Sequence, residues 1–186
     1  LHGDDDGLAA TPAFARPESV DEAAVSRLIE HIQDEFRYLS LDLELGGWIP
    51  ATPGKVARRR YGDCKDLAWL AATVLRTWGL VARPVLVGSG FRERVETLLP
   101  MTALFNHVVL EVTVAHKTRW FDLTERQQGG DFASRSICWF GFGLPVDTSA
   151  DGLRAQPGER TNGVYAMRET ILLDSRHGAS SMVEQR

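Results

Sequence analysis

The sequence predicts an α+β fold in which an amphipathic helix packs on an antiparallel sheet, and three observations carry that expectation. Apolar residues recur at helical spacing between Gly62 and Gly79, and the segments that follow switch to alternation. The bulk composition, 186 residues with 44% hydrophobic and 25% charged, suits one ordinary globular domain with at most a short appendage.

In chain order, residues 1–18 are rich in Asp, Gly, Ala and Pro without periodicity and read as a flexible leader. The core is expected over 19–148. Ser19 and Glu22 have the spacing of a capping box, after which Val25, Leu28, Ile29, Ile32 and Phe36 form one helical stripe. Gly46-Gly47 and Pro50 interrupt the chain, and Thr52-Pro53 suits the cap and first position of a short helix reaching Arg58. The next helix is the clearest element: Asp63 caps it with Asp66 three residues on, Leu67, Leu70, Ala71, Val74, Leu75 and Trp78 supply one face, and Gly79 closes it.

Val81 to Val87 then reads as a strand, with Pro84 pointing to an edge or a bulge. Residues 91–106 read as a long connection. From His107 to Val114 the residues alternate, with Val108, Leu110, Val112 and Val114 on one face and His107, Glu111 and Thr113 among those on the other. A loop around His116-Lys117 leads to a strand over Arg119–Leu123. The Gln127–Gly130 loop and the aromatic Trp139–Phe142 stretch complete the expected core. Residues 149–163 read as a linker, and 164–186 as a strand-like tail that starts a following β domain.

Several function classes are disfavoured. A net charge of −4 offers no electrostatic footprint for nucleic acid or an anionic membrane, and no apolar run approaches the roughly 20 residues of a bilayer span. The acidic N-terminus lacks the regions of a signal peptide. The chain does not begin with Met, and is read as processed or excised from something longer. Cys64 and Cys138 are too few for a disulfide framework or a metal quartet, and the five histidines lack zinc spacing. Gly88-Ser89-Gly90 lacks the third glycine and the helix of a dinucleotide loop, and Asp4-Asp5-Asp6-Gly7 lacks the downstream glutamate of a calcium loop.

The residues that remain carry acyl chemistry. A cysteine attacks as thiolate, and a helix N-terminus favours negative charge through its unpaired N–H groups and dipole. Cys64 sits at such a position, where the same N–H groups can hold a developing oxyanion. Asp63 and Asp66 oppose the thiolate, so a histidine partner is needed. If the two strands pair with their apolar faces together, His107 and Asp122 share the opposite face. An imidazole there can pair with the thiol while the carboxylate fixes its tautomer. A turn centred on His116-Lys117 leaves the two offset, so direct contact is expected to need a bulge or a longer loop. Singly, each residue has an ordinary structural use: a small buried thiol, a surface histidine, a strand-ending aspartate. The order Cys, His, Asp on helix, strand and neighbouring strand is what points to catalysis.

Arg60-Tyr61-Gly62-Asp63-Cys64-Lys65-Asp66 resembles the Gly-Asp-Cys-x-Asp signature of bacterial transglutaminase-like (papain-like cysteine) domains. Phe105-Asn106-His107-Val108-Val109 and Trp120-Phe121-Asp122-Leu123-Thr124 are similar to that family's histidine and aspartate strands. The similarity covers about residues 19–147 and is strongest to the branch in which a domain of unknown function precedes the core in large, often exported, bacterial proteins. It implies a transglutaminase-like or papain-like α+β fold with the nucleophile helix on an antiparallel sheet, and acyl transfer at an amide by Cys64, His107 and Asp122. Peptidase, amidase and transglutaminase chemistry are all compatible with it, and so is a catalytically silent binding or structural module within a larger protein. The expected partner is a protein or peptide amide, with adjoining domains in a longer parent chain, an exported or periplasmic setting, and no cofactor. A second oxyanion donor usually comes from upstream of the cysteine; Trp48 and Tyr38 are the candidates, and both also serve as core packing.

Three further features have ordinary structural readings. Arg58-Arg59-Arg60 reads as a solvated helix end, or else as a carboxylate-binding patch beside Cys64. Cys138, in an aromatic stretch, reads as buried and inert. The Gln127–Asp131 loop either borders the cleft or is a plain turn.

Overall fold

The computed structural model describes residue 8, residues 11–40, 47–147 and 151–158, and the backbone of 167–174 and 178–185. Most of the first ten residues, Gly46 and residues 159–166 lie outside that set, and with them parts of the expected leader, linker and tail.

Three helices lie among the described residues: α1 (Glu22–Glu35), α2 (Pro53–Arg59) and α3 (Cys64–Thr77). The strands are β1 (Arg37–Tyr38), β2 (Tyr61–Gly62), β3 (Val81–Val87), β4 (His107–Val114), β5 (Lys117–Phe121), β6 (Phe142–Pro145), β7 (Arg154–Ala155), β8 (Met167–Asp174) and β9 (Gly178–Gln185). The main sheet has the order β5-β4-β3-β6-β7 with antiparallel pairing between neighbours; β1 and β2 form a short parallel pair, and β8 and β9 a separate hairpin. The architecture is α+β.

The α1 stripe is buried as expected, with Val25, Ile29 and Ile32 fully inaccessible. Its cap differs: Asp21, not Ser19, accepts the N–H of Ala24 at 2.8 Å, and the Ser19 hydroxyl donates to Asp21 instead. A carboxylate nearer the helix outcompetes the hydroxyl for the orphan donors because it also meets the positive end of the dipole. In α2, Thr52 stands at the cap and Pro53 in the first turn, and the helix closes at Arg60 in the left-handed conformation (φ 54°).

Helix α3 packs on one face of the sheet and shares the main core with α1, Leu110, Val112, Val114 and Phe121. The opposite face is not open. Val85, Val87, Val109 and Trp120 form a second apolar cluster with Phe140, and beside it Arg83 pairs with Glu111 and with Asp147. Glu111 also accepts the Trp120 indole N–H at 2.8 Å. The sheet is therefore covered on both faces, where alternation in β4 predicts burial of one.

Two expectations about strands are corrected. Strand β3 lies inside the sheet, between β4 and β6, despite Pro84. The proline carbonyl accepts the N–H of Val146 just past the last paired residue of β6, so the missing proline N–H falls where that ladder is ending. The stretch read as a linker supplies β7, and Gln156 next to it is buried, accepting from the Phe140 N–H and donating to the Cys138 carbonyl. A two-residue strand is too short to show periodicity.

The leader is also corrected in part. Pro12–Phe14 form a 3₁₀ turn; Phe14 is buried against His31 and Phe36, and its carbonyl accepts the Trp78 indole N–H. Isolated apolar residues such as Leu8 and Phe14 carry no pattern in sequence, yet both join the core.

Candidate active site

Cys64 is the first residue of α3, and the capping box seen in sequence holds it there. The Asp63 side chain accepts the Asp66 N–H at 3.2 Å, and the Asp66 side chain accepts the Asp63 N–H at 3.4 Å. Asp66 does more than cap. It is 5% exposed, accepts the N–H of Ala51 at 2.7 Å and forms an ion pair with Arg59 at 2.5 Å. It thereby ties the segment bearing Trp48, and the end of α2, to the turn that carries Cys64. The motif's glycine follows from the same packing, since a Cβ on Gly62 would stand 2.7 Å from the Asp66 Cβ. Asp63 is itself paired with Lys65, which moderates its opposition to a neighbouring thiolate.

His107 opens β4 and Asp122 follows the last residue of β5. The hairpin turns at Ala115-His116, both at positive φ, so Val114 faces Lys117 and Leu110 faces Phe121. Continued one step, that register sets Asp122 opposite Val109 and so diagonally to His107, not opposite it. The offset expected from sequence is real, but it needs no bulge. Diagonal neighbours lie within reach of long side chains, and β5 ends at Phe121, which frees Asp122 to turn inward. His107 Nε2 meets Asp122 Oδ2 at 2.7 Å. With Nε2–H donating to the carboxylate, Nδ1 is the nitrogen left for Cys64.

Electrostatics reinforce the cluster. Burial works against a charged His107, but hydrogen bonds and attraction from Asp122 and Cys64 outweigh it and raise its pKa to about 10. Burial likewise disfavours the Asp122 carboxylate. Its bonds to His107 and to the Thr124 hydroxyl and N–H prevail and hold it below the usual carboxylate range.

Cys64 and His107 line one cleft of about 390 Å³ together with Tyr38, Trp48, Leu86 and Phe105. Asp122 lies behind the histidine, 6% exposed. Both oxyanion candidates thus reach the cleft. Tyr38 arrives through β1, whose Arg37 and Tyr38 pair with Tyr61 and Gly62 immediately before the cysteine. Burial, and then the negative charge of Cys64 nearby, push the Tyr38 phenol upward. Trp48 is 70% exposed, so it is no core residue.

Sequence reasoning overlooked Gln33. This residue is buried on α1 and donates from Nε2 to the Asp122 main-chain carbonyl at 2.7 Å. A signal existed, because Gln33 is four residues after Ile29 on the apolar stripe, and a polar side chain there needs partners. Three structural readings change as well. Cys138 is exposed, not buried. In the Arg58–Arg60 run, Arg58 and Arg60 are exposed at the helix end as read, whereas Arg59 is committed to Asp66 and stacked on Tyr61. The Gln127–Asp131 loop packs behind Asp122, with the Gln128 and Gly130 carbonyls accepting from Arg135.

Among the described residues no cluster has a metal-holding set of His, Cys, Asp and Glu, and no helix is long and apolar enough to cross a membrane. The family model of the transglutaminase-like superfamily matches residues 9–124. No curated protein sequence matches the chain. Among solved structures, the "putative protease" of Parabacteroides distasonis superposes with a TM-score of 0.55 at 13% identity, over 92% of this chain and 32% of that one. The "putative cysteine protease" of Cytophaga hutchinsonii gives 0.46 at 15% identity, over 94% and 55% of the two chains. Arylamine N-acetyltransferase from Salmonella typhimurium gives 0.44 at 19%, over 92% and 60%. This chain spans less than two thirds of each, and at such identities the likeness speaks to the fold alone.

Proposed function

Because this chain belongs to the transglutaminase-like superfamily, we propose that it performs thiol-dependent acyl transfer at a peptide or protein amide. The observation that carries the reading is one arrangement: a cysteine on the first residue of a helix, in an open cleft, beside a histidine bonded at 2.7 Å to a buried aspartate.

The Cys64 thiolate attacks the amide carbonyl carbon and forms the C–S bond, and the oxyanion rests on first-turn N–H groups of α3 with Tyr38 or Trp48 as second donor. The carbonyl then re-forms, the C–N bond breaks, and imidazolium His107 gives its proton to the departing amine. Water, or a second amine, adds to the thioester while His107 takes a proton from it. The C–S bond breaks, releasing an acid or a new amide and restoring the thiolate. Asp122 keeps the ring oriented and stabilises its charge. As part of the same reading we place the chain in the branch whose core follows another domain, on the strength of the Gly62–Asp66 string; the full-length mass of the natural protein tests that placement.

The primary test is alkylation of Cys64 by iodoacetamide between pH 5 and 9. A paired thiol reacts readily below pH 7, and His107→Ala slows it by on the order of tenfold or more. Wild-type and variant profiles that coincide, both following an ordinary thiol, overturn the reading and leave a silent binding module. Supplying a labelled primary amine with a protein substrate separates the two chemistries: incorporation marks transfer, and new chain ends mark hydrolysis.

A further inference from the structure

We infer that Arg135 and Gln33 are positioning residues that hold Asp122 against His107. The inference rests on the reading of Asp122 as the orienting acid.

Arg135 is 2% exposed, and among the described residues its hydrogen-bond acceptors are all uncharged. Nη1 donates to Gln33 Oε1 at 2.7 Å and to the Gln128 carbonyl at 2.7 Å, and Nη2 donates to the Gly130 carbonyl at 3.1 Å. Its Nε is buried with no partner. An interior guanidinium without an ion-pair partner is costly, and an apolar side chain of similar volume would fill the space at lower cost. What the cation does here is geometric. Its two donor ends grip the loop that runs from Asp122 to Arg135 at two carbonyls and fasten it to α1 through Gln33.

Gln33 is the joint. Its Oε1 is occupied by Arg135, which fixes the amide orientation and aims Nε2 at the Asp122 carbonyl, 2.7 Å away, and at Gln128 Oε1, 3.0 Å away. Gln33 is 1% exposed, so no solvent competes for these bonds. Asp122 lies one residue past the end of β5 and has no strand ladder of its own. On the side-chain side, Thr124 fixes Oδ1 by two bonds at 2.7 and 2.9 Å, leaving Oδ2 for His107. The main-chain side is held by Gln33. Without that hold the carboxylate keeps its chemistry and loses its placement.

The test is nuclear magnetic resonance titration of the His107 ring in the whole chain. In folded Gln33→Met or Arg135→Met the titration midpoint moves down by about one pH unit or more, as expected when a carboxylate leaves contact distance. A folded variant whose midpoint stays with the wild type overturns the inference. A wild-type measurement removes the dependence on folding: the carboxamide carbon of Gln33 and the guanidinium carbon of Arg135 shift in step with the His107 titration. Signals that ignore that titration overturn the inference too. The readout does not require turnover, so an unreactive Cys64 would sink the acyl-transfer reading and leave this one standing; an unmoved histidine would do the reverse.

Discussion

Between about pH 6.5 and 10 the folded chain holds a proton on His107 that the unfolded chain has already lost. His107 titrates near 6.5 when unfolded and at about 10 when folded, with burial opposing its charge and Asp122 and Cys64 prevailing. Between those values the native state binds more protons, so its stability falls as pH rises. The contribution is whole below about pH 6.5 and is lost as pH passes through about 10. The slope is about 1.4 kcal/mol per pH unit, and the total is on the order of a few kcal/mol because the ring titrates together with Cys64 and Asp122. The His107 side chain is 17% exposed, so solvent screening trims this figure only modestly. Urea unfolding followed by circular dichroism, in wild type and His107→Gln at several pH values, follows the Cys64–His107–Asp122 cluster as a unit, because removing the ring also alters the surroundings of its two partners. The stability difference between them should narrow by a few kcal/mol across the window. Curves that run parallel to within about 1 kcal/mol would refute the charged, buried His107–Asp122 contact.

Other outcomes follow from the packing. Asp66→Ala should cost about 3 kcal/mol in urea unfolding, since it strands Arg59 and the Ala51 N–H. A loss below about 1 kcal/mol would show that this tie is slack. Phe14→Ala should cost about 3 kcal/mol, because its ring fills a gap between His31 and Phe36; a neutral result would mean that the N-terminal turn only rests on the surface. Asp122→Asn should slow Cys64 alkylation below pH 7 by on the order of tenfold or more in the folded variant. Equal rates would remove the acid from any role in activating the thiol.

Legibility from sequence followed the range of the contacts involved. Helix α3 was readable to within a residue because its cap, stripe and closing glycine are all local signals. The β4–β5 hairpin was readable as paired strands with a real offset between His107 and Asp122, but not as a diagonal contact, because the strand's end at Phe121 decides that. The sheet's far side was not readable. Strand β6 is four residues around Gly143, whose missing side chain is required by Val85 and Trp120, a Cβ there standing 2.6 and 2.8 Å from them. That need appears only once the strands are adjacent. For the candidate site, Cys64, His107 and Asp122 announce themselves by residue type and order, whereas Gln33 and the Asp66–Ala51 tie act through partners 15 to 102 residues away. Nothing in a linear pattern joins such pairs.

The parallel pairing of β1 with β2 bears on how the cleft can be altered. Tyr38 is registered against Gly62, two residues before the cysteine, by main-chain bonds from Arg37 to the Arg60 carbonyl and from Leu39 to the Gly62 carbonyl, each 2.9 Å. The spacing between that wall and the sulfur is therefore set by backbone, independent of which side chain occupies position 38. Exchanging Tyr38 for Phe, His or Leu would change the wall's polarity and hydrogen bonding without moving the wall. Position 38 is therefore one at which the polarity of the cleft wall can be altered while the backbone register next to the thiol is kept.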